Sequence, residues 1–320
     1  MNFHQLRVFR EVATRRSFTA AAEALMLSQP AASLHVRSLE RALGVRLLER
    51  TPRGLVLTEA GEATLGAATT ILSTLEQMEQ AVAEIRGARR GRVVLGANTT
   101  GGMYVAPRIV AAFRVAQPEV EVGLQIDSSE RLCERITQGV LDVAIIGGPG
   151  DPDRFALQRL CADEVVPVAH PDHRVVARAP LRLADLARED LILAEPASRM
   201  RALVESVFRQ AGVVIRPRLV LSGTEALKKA AESALGVAFV SAYAVEREVA
   251  AKTLCVLTIA DGSFQRDYEI VSLKGRYFTP AIASFVEFAV SFAERNLKVP
   301  PVSASALRVP ARRQRMSPRT

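Results

Sequence analysis

From residue 92 onward, short runs rich in Val, Ile and Leu alternate with stretches of helical periodicity, and this alternation restricts the possible folds strongly. The runs are RVVLGA, EVGLQI, DVAIIGG, EVVPVA, LILAE, RLVLS, VAFVS and YEIVSL. Strands that alternate with helices predict parallel α/β sheets whose carboxyl-terminal loops face a ligand. The length suffices for two such subdomains, since a domain usually takes about 100 to 200 residues. We therefore predict an α/β domain over residues 92–295, with a cleft between two subdomains.

Residues 2–62 have a different pattern, in which three short amphipathic helices precede a hairpin. Ser17 and Ser28 are good N-cap residues for the second and third helices, and Gly44 ends the third. The apolar positions predicted to face the core are Phe3, Leu6, Phe9 and Val12 in the first helix and Ala32, Val36, Leu39 and Leu43 in the third. The segment RLLERTPRGLVL then has two short apolar strands around a turn. Together these elements predict an all-α helix-turn-helix unit with a wing over residues 1–62.

The third helix, SQPAASLHVRSLERALG, carries Gln29, Ser33 and Arg37 four residues apart on the face opposite its apolar stripe. A solvated helix face would look similar, but the tight helix crossing, the wing and a modest basic excess favour a DNA-binding face. Gln pairs with adenine in the major groove, Arg with guanine or phosphate, and Ser with either. The Phe residues of this unit occupy apolar positions, so no stacking platform for single strands is indicated. Double-stranded DNA is the predicted partner.

The stretch from Thr58 to Arg86 contains no Pro and is predicted to form a linker helix over residues 58–87. At about 1.5 Å per residue, this helix would be on the order of 40 Å long. Its apolar residues recur at heptad spacing and are the predicted dimerisation seam: Ile71, Leu75, Met78, Val82 and Ile85. The alternative is a helix that packs only on its own domain. Because a two-fold dimer reads inverted half-sites, the seam predicts an interrupted palindrome as the DNA site. GARRGR then breaks the pattern, which predicts a hinge at 88–91.

Polar residues cluster where the predicted strands give way to helices. The residues expected to bind a small-molecule effector there are Asn98, Thr99, Thr100, Ser128, Ser129, Gly147, Ser198, Arg199 and Thr224. Helix N-termini present free N–H groups and the positive end of the helix dipole, so several that converge on one cleft would hold a small anion. Plain N-capping is the alternative, since Ser and Thr cap helices everywhere. We expect an anionic effector and neither a cofactor nor a metal.

Composition restricts the other classes of protein. No apolar run approaches the roughly 18 residues that a membrane span needs, and the N-terminal MNFHQLRVFREVATRR has no continuous apolar signal region. We therefore expect a cytoplasmic protein with no membrane partner. Cys133, Cys161 and Cys255 lie far apart without a CxxC motif, which favours ordinary buried thiols. Residues 296–320 are rich in Pro, Ser and Arg and are predicted to be a disordered basic tail.

Two further functional classes remain to be weighed. An enzyme on the same α/β scaffold would need an acid, base or nucleophile set, but no GxSxG, HExxH or P-loop motif is present. His4 and His35 belong to the helical unit, and His170 and His173 lie in a polar HPDH loop. A binding protein of the transport type would need a signal peptide. A DNA-binding regulator, and not an enzyme, is the predicted function.

The segment FREVATRRSFTAAAEALMLSQPAASLHVRSLERALGVRLLERTPRGLVLTEAG resembles the N-terminal signature of the LysR-type transcriptional regulators. The resemblance runs from about residue 1 to 295. It implies a winged helix-turn-helix, a dimerising linker helix and an effector domain like a type 2 periplasmic binding protein, with crossovers near 163–168 and 265–270. It also implies a dimer of dimers, hence a homotetramer, that contacts RNA polymerase. The DNA-binding residues that it implies are Gln29, Pro30, Ser33 and Arg37 in the recognition helix and Arg50 and Arg53 in the wing.

Within the family, GANTTGGMYVAPRIVAAF and LSGTEALKKAAESALGVAFVSAYAV look most like the subgroup that includes regulators of carbon-dioxide fixation and of sulfur assimilation. The resemblance implies a small effector that is often anionic. Gly101 and Gly102 depart from the pattern, since a bulkier residue commonly follows the Thr pair, and this predicts a roomier pocket. Leu34 stands where many relatives have a polar residue.

Overall fold

The computed structural model describes residues 1–52, 54–86 and 91–300. The helices are α1 (Phe3–Arg15), α2 (Phe18–Ala24), α3 (Gln29–Leu43), α4 (Glu59–Ile85), α5 (Ala106–Ala116), α6 (Ser129–Thr137), α7 (Leu183–Leu186), α8 (Arg199–Gln210), α9 (Thr224–Glu232), α10 (Glu246–Ala251) and α11 (Pro280–Asn296). The strands are β1 (Leu48–Thr51), β2 (Gly54–Leu57), β3 (Arg92–Ala97), β4 (Glu121–Ile126), β5 (Val143–Gly147), β6 (Phe155–Ala169), β7 (Leu191–Ala194), β8 (Pro217–Leu221), β9 (Val237–Ser241), β10 (Cys255–Val256) and β11 (Gln265–Leu273). Arg53, hinge residues 88–90 and tail residues 301–320 lie outside the described residues.

The N-terminal unit begins its helices at the predicted caps. The Ser17 and Ser28 hydroxyls accept hydrogen bonds from Ala20 N and Ala31 N at 3.2 and 3.3 Å, and Gly44 ends α3 with φ +71°. Two predicted core residues are exposed instead: Phe3 has 53% and Leu43 42% of its surface accessible. They are the first residue of α1 and the last of α3, so each lies at the end of its helix's apolar stripe. β1 and β2 form the antiparallel wing.

Helix α4 contacts its own chain along faces that differ from the heptad seam. Ala68 and Leu72 are buried in the core of the N-terminal unit, while the Ser73 hydroxyl and the Gln77 amide donate to the carbonyls of Gln138 and Gly139. The seam residues are more accessible: Ile71, Met78 and Val82 are exposed and Leu75 is half-buried, whereas the Ile85 side chain lies outside what is described. Packing on the chain itself therefore leaves an apolar stripe on α4.

A nine-stranded sheet connects the two subdomains, with the strand order β4-β3-β5-β11-β6-β9-β7-β8 and β10 beside β6. β6 pairs with β11 up to Glu164 and with β9 from Val165 onward, so the chain crosses between subdomains there, and β11 returns after Phe264. The predicted parallel pairing is observed for β3 with β4 and β5 and for β7 with β8 and β9. It does not hold for the two strands that connect the subdomains, because β11 runs antiparallel to β5 and β6, and β6 runs antiparallel to β9 and β10. A long strand that passes directly from one subdomain to the other needs no crossover helix.

Each subdomain has its own apolar core. Tyr268, Phe113 and Phe285 lie in the core of the first subdomain, and Phe208 and Phe239 lie in that of the second. Within the described part of the chain, the structure contains no helix with the length and apolar character of a membrane span. The predicted class is observed: a helical N-terminal unit with a wing, a linker helix and a two-subdomain α/β domain.

Candidate functional site

A cavity of about 490 Å³ lies between the two α/β subdomains, at the ends of strands from both. Eight of the nine predicted effector residues line it: Asn98, Thr99, Thr100, Ser128, Ser129, Ser198, Arg199 and Thr224. Gly147 does not. A Cβ atom at Gly147 would lie 3.1 Å from Cζ of Arg266, which does line the cavity. Gly147 therefore leaves room for an arginine and is not itself a lining residue.

The first turns of α6 and α8 border the cavity, together with the start of α9. The Ser128 and Ser198 hydroxyls accept from Arg131 N and Arg201 N at 3.3 and 3.4 Å. Asn98 accepts from Gly101 N at 3.0 Å with its amide oxygen. N-capping thus accounts for these three side chains, whereas the first backbone N–H groups of each helix have no acceptor within the helix. Converging helix N-termini favour a negatively charged ligand group.

Thr100 and Thr224 join the two subdomains directly. Their hydroxyl oxygens are 2.8 Å apart, and both residues are buried. The Thr100 hydroxyl therefore already has a protein partner, whereas Thr99 is half-buried at the cavity wall. The Thr100–Thr224 contact therefore helps to set the width of the cleft. This role is separate from any contact that either residue makes with a ligand.

Gly101 and Gly102 do not enlarge the pocket, so the expectation of a roomier site is wrong. A Cβ atom at Gly101 would lie 2.7 Å from Oδ1 of Asn98, and one at Gly102 would lie 2.6 Å from Cγ1 of Ile126. The space that a side chain would occupy is already filled. The two glycines form the start of a π-helical turn, Gly101–Val105, that leads into α5, and they allow it to pack closely against β4 and Asn98.

Arg266 and Asp163 form a buried ion pair at the cavity. Neither residue was predicted from the sequence. The Nε–Oδ2 distance is 2.8 Å, and the two side chains are 5% and 0% exposed. Asp163 also accepts from the Ser241 hydroxyl at 2.6 Å, and Arg266 Nη2 donates to the Tyr268 hydroxyl at 3.3 Å. Burial alone would lower the pKa of Arg266, but Tyr268 and Asp163 outweigh it and raise that pKa. The guanidinium is a permanent cation at the cavity.

A second contact between the subdomains surrounds Lys228, which is also buried. Its Nζ lies 3.0 Å from the Tyr104 hydroxyl, 2.8 Å from Glu225 and 2.6 Å from Glu248. Burial would lower the pKa of Lys228, but the hydrogen bonds that it donates to Glu225, Glu248 and Tyr104 raise that pKa. These residues line a neighbouring cavity of about 470 Å³. Tyr104 belongs to the first subdomain and the other three residues to the second, so this cluster also fixes the relative position of the two.

The other charges at the 490 Å³ cavity are largely paired. Arg199 lies 3.8 Å from Glu130 and donates to the Pro149 carbonyl. Arg131 lies 3.8 Å from Asp127. Glu195 is the remaining charged residue of the described cavity lining. Its Oε2 atom is buried and has no hydrogen-bond partner among the described residues.

The predicted DNA-binding residues of α3 lie on its accessible face. Gln29, Pro30 and Arg37 are exposed and Ser33 is half-buried, and Arg37 Nε donates to the Ser33 carbonyl at 3.4 Å. In the wing, Arg50 is exposed and pairs with Leu55 across the hairpin. Arg53, the other wing residue, lies outside the described residues. The exposed residues of α3 form one surface, and Val36 and Leu39 are buried on the opposite face of the helix.

Comparisons with known proteins cover both parts of the chain. Residues 3–62 match the family model "Bacterial regulatory helix-turn-helix protein, lysR family", and residues 86–294 match "LysR substrate binding domain". A RuBisCO operon transcriptional regulator of Allochromatium vinosum is 32% identical over 295 residues, 92% of this chain and 97% of that protein. Full-length CbnR, solved in complex with its target DNA, is 25% identical with a TM-score of 0.69, over 92% of this chain and 99% of that one. The Synechocystis CcmR regulatory domain, solved in complex with 2-PG, is 25% identical with a TM-score of 0.60, over 64% of this chain and 99% of that one.

Proposed function

The chain belongs to the LysR family of bacterial transcriptional regulators, and we propose that it binds an interrupted palindrome in duplex DNA as a homodimer or a dimer of dimers. The family and fold class predicted from the sequence are confirmed, as is the function of a regulator with an effector-binding domain. The observation that carries the proposal is the exposed polar row of α3 on the same chain as a cleft between two subdomains. Such a protein acts by binding and not by catalysis.

The effector is a small anionic metabolite that enters the 490 Å³ cavity. Three features support this choice: the converging first turns of α6, α8 and α9, the Thr99 hydroxyl at the wall, and the Arg266 cation. The CcmR structure with 2-PG supports a ligand of small size. Closure of the cleft around the effector would alter the Thr100–Thr224 and Tyr104–Lys228 contacts, and thereby the arrangement of DNA-binding units.

The cellular location that we propose follows from the DNA target. A regulator of chromosomal promoters works in the cytoplasm, and we propose that it contacts RNA polymerase when bound. Footprinting on the DNA upstream of its own gene tests the central proposal. Two protected regions related by a dyad are expected, with their centres separated by about one helical turn, 10 to 10.5 base pairs, or a multiple of it. One asymmetric protected region would contradict the proposal.

The Gln29→Ala variant is expected to lose about 1 to 3 kcal/mol of affinity for the specific site and little for random DNA, because Gln reads base edges and does not neutralise phosphates. Gel-shift titration with both DNAs measures this difference. Gln210→Ala is the matched control, since Gln210 is an exposed Gln at the end of α8, outside the DNA-binding unit. Equal losses on the two DNAs for Gln29→Ala would remove its assigned role.

A further inference from the structure

Glu195 has an unexplained environment at the effector cavity. It follows β7 and lines the cavity beside the first turn of α8. Its Oε2 atom is buried and accepts no hydrogen bond from any described residue. A carboxylate oxygen that is removed from water without a donor destabilises the protein, and such groups in native structures are usually satisfied by a water or a ligand.

The surrounding charges do not supply the hydrogen-bond donor that Glu195 lacks. Each arginine of the cavity lining already has a carboxylate nearby: Arg266 pairs with Asp163 at 2.8 Å through its Nε atom, and Arg199 and Arg131 lie 3.8 Å from Glu130 and Asp127. Among the described lining residues, Glu195 is thus the charge without an opposite partner. A ligand that carries only acidic groups would place them near this carboxylate without supplying the donor that the carboxylate needs.

We infer that the effector bears a hydrogen-bond donor, a hydroxyl or an ammonium, in addition to its acidic group, and that Glu195 accepts from this donor. The inference rests on the proposed function, because it assigns the chemistry of the same effector. It selects the class of hydroxy or amino acids and their phosphates over simple dicarboxylates. Glu195 is then the residue that distinguishes effectors that share a carbon skeleton.

Two matched series of ligands test this inference. Succinate, malate and aspartate differ only at one carbon, which bears hydrogen, hydroxyl or ammonium, and 3-phosphooxypropionate, 3-phosphoglycerate and phosphoserine differ in the same way. Calorimetric titration of the full-length protein with all six is expected to show that a donor-bearing member binds about ten-fold or more tightly than the bare acid of its series. The hydroxy and amino members identify which donor is used.

The Glu195→Met variant, which keeps side-chain length but lacks both oxygens, is expected to reduce that ratio to near one. Glu294→Met is the matched control, because Glu294 is exposed on α11 outside the cavity. Equal affinities within both series, an unchanged ratio in Glu195→Met, or no binding of any of the six to the wild type would overturn the inference. Paired footprints measured with the same protein show separately whether the proposed function stands.

A second observation concerns the recognition helix and is independent of the cavity. Leu34 is an apolar residue with 57% of its surface exposed. It follows Ser33 and lies one turn after Pro30, which is also exposed, so the two form an apolar ridge beside the Gln29, Ser33 and Arg37 row. Side chains near the N-terminus of a helix-turn-helix recognition helix reach base edges, and the apolar group exposed in the major groove is the thymine methyl.

We propose that Leu34 contacts a thymine methyl group and so selects thymine at one position of each half-site. Selection from a random duplex library is expected to enrich that thymine with the wild type. Deoxyuridine at the same position, which removes only the methyl group, is expected to weaken wild-type binding by about four-fold, the contribution of one buried methylene. Leu34→Ala is expected to bind the thymine and uracil duplexes almost equally.

Leu235→Ala is the matched control, since Leu235 is 54% exposed after α9 and outside the DNA-binding unit. This control is expected to keep the uracil penalty. A half-site without a selected thymine, or a uracil penalty that persists in Leu34→Ala, would overturn the assignment. If the selected sequences have no dyad, the proposed palindrome fails instead.

Discussion

Replacing Met78 and Val82 together by glutamate is expected to convert the protein to a monomer and to weaken binding to its DNA site by about 100-fold or more. Both residues lie on the apolar stripe of α4 and are 56% and 49% exposed in the single chain. The substitutions therefore remove little packing within the chain, and the fold is expected to persist. Any large effect has to come from a surface that a second copy covers.

The size of the effect follows from apolar burial. Covering a Val or Met side chain stabilises an interface by about 1.5 to 3 kcal/mol when burial is complete, and a symmetric dimer contains each residue twice. Four glutamates facing one another would add like-charge repulsion. Even half of the full burial then corresponds to a dissociation constant raised by about 100-fold or more. A monomer can contact only one half-site, so affinity for the palindrome falls when dimerisation is lost.

Thr70→Glu supplies the control, because Thr70 is exposed on the same helix but outside the heptad seam. Sedimentation velocity measures the oligomeric state, and gel-shift titration measures DNA affinity. The control is expected to remain oligomeric and to bind DNA as the wild type does. A Met78→Glu, Val82→Glu protein that stays dimeric would show that α4 serves the chain alone, which is the alternative considered from the sequence.

Local signals in the sequence predicted local structure well. Ser17, Ser28 and Gly44 mark helix ends because capping depends on one or two neighbouring residues. Where a prediction depended on what covers a residue, local patterns were insufficient. Phe3 and Leu43 fit the apolar periodicity of their helices, yet they are the first residue of α1 and the last of α3, and both are exposed.

Contacts between distant parts of the chain escaped prediction for the same reason. The antiparallel direction of β11 depends on where the chain returns from the second subdomain, and no residue in QRDYEIVSL encodes that direction. Gly101 and Gly102 implied empty space, but Asn98 and Ile126 fill it. Eight predicted cavity residues could be found because they follow strands, whereas Arg266 lies inside a strand, where side-chain alternation gives the only signal.

The buried pair that sequence analysis missed is the site of the largest expected change in stability. Asp163→Asn leaves Arg266 charged, 5% exposed and without its anionic partner at 2.8 Å. Removing one member of a buried ion pair typically costs about 3 to 5 kcal/mol, because the remaining charge stays desolvated. We expect the free energy of unfolding of the effector domain to fall by about this amount, measured by urea denaturation of the full-length protein.

Asp267→Asn is the matched control on the neighbouring strand β11, since Asp267 pairs with Arg159 at 2.9 Å while both side chains are largely exposed, at 44% and 64%. Solvent screens that pair, so the control is expected to lose less than about 1 kcal/mol. Asp163→Leu combined with Arg266→Met should recover most of the stability lost in Asp163→Asn, because two apolar side chains leave no unpaired charge. The same double variant should still fail to bind an acidic effector, since it lacks the cation at the cavity. If Asp163→Asn is no less stable than the control, or if the double variant binds an acidic effector as tightly as the wild type, Arg266 neither depends on Asp163 nor serves as the cation of the site.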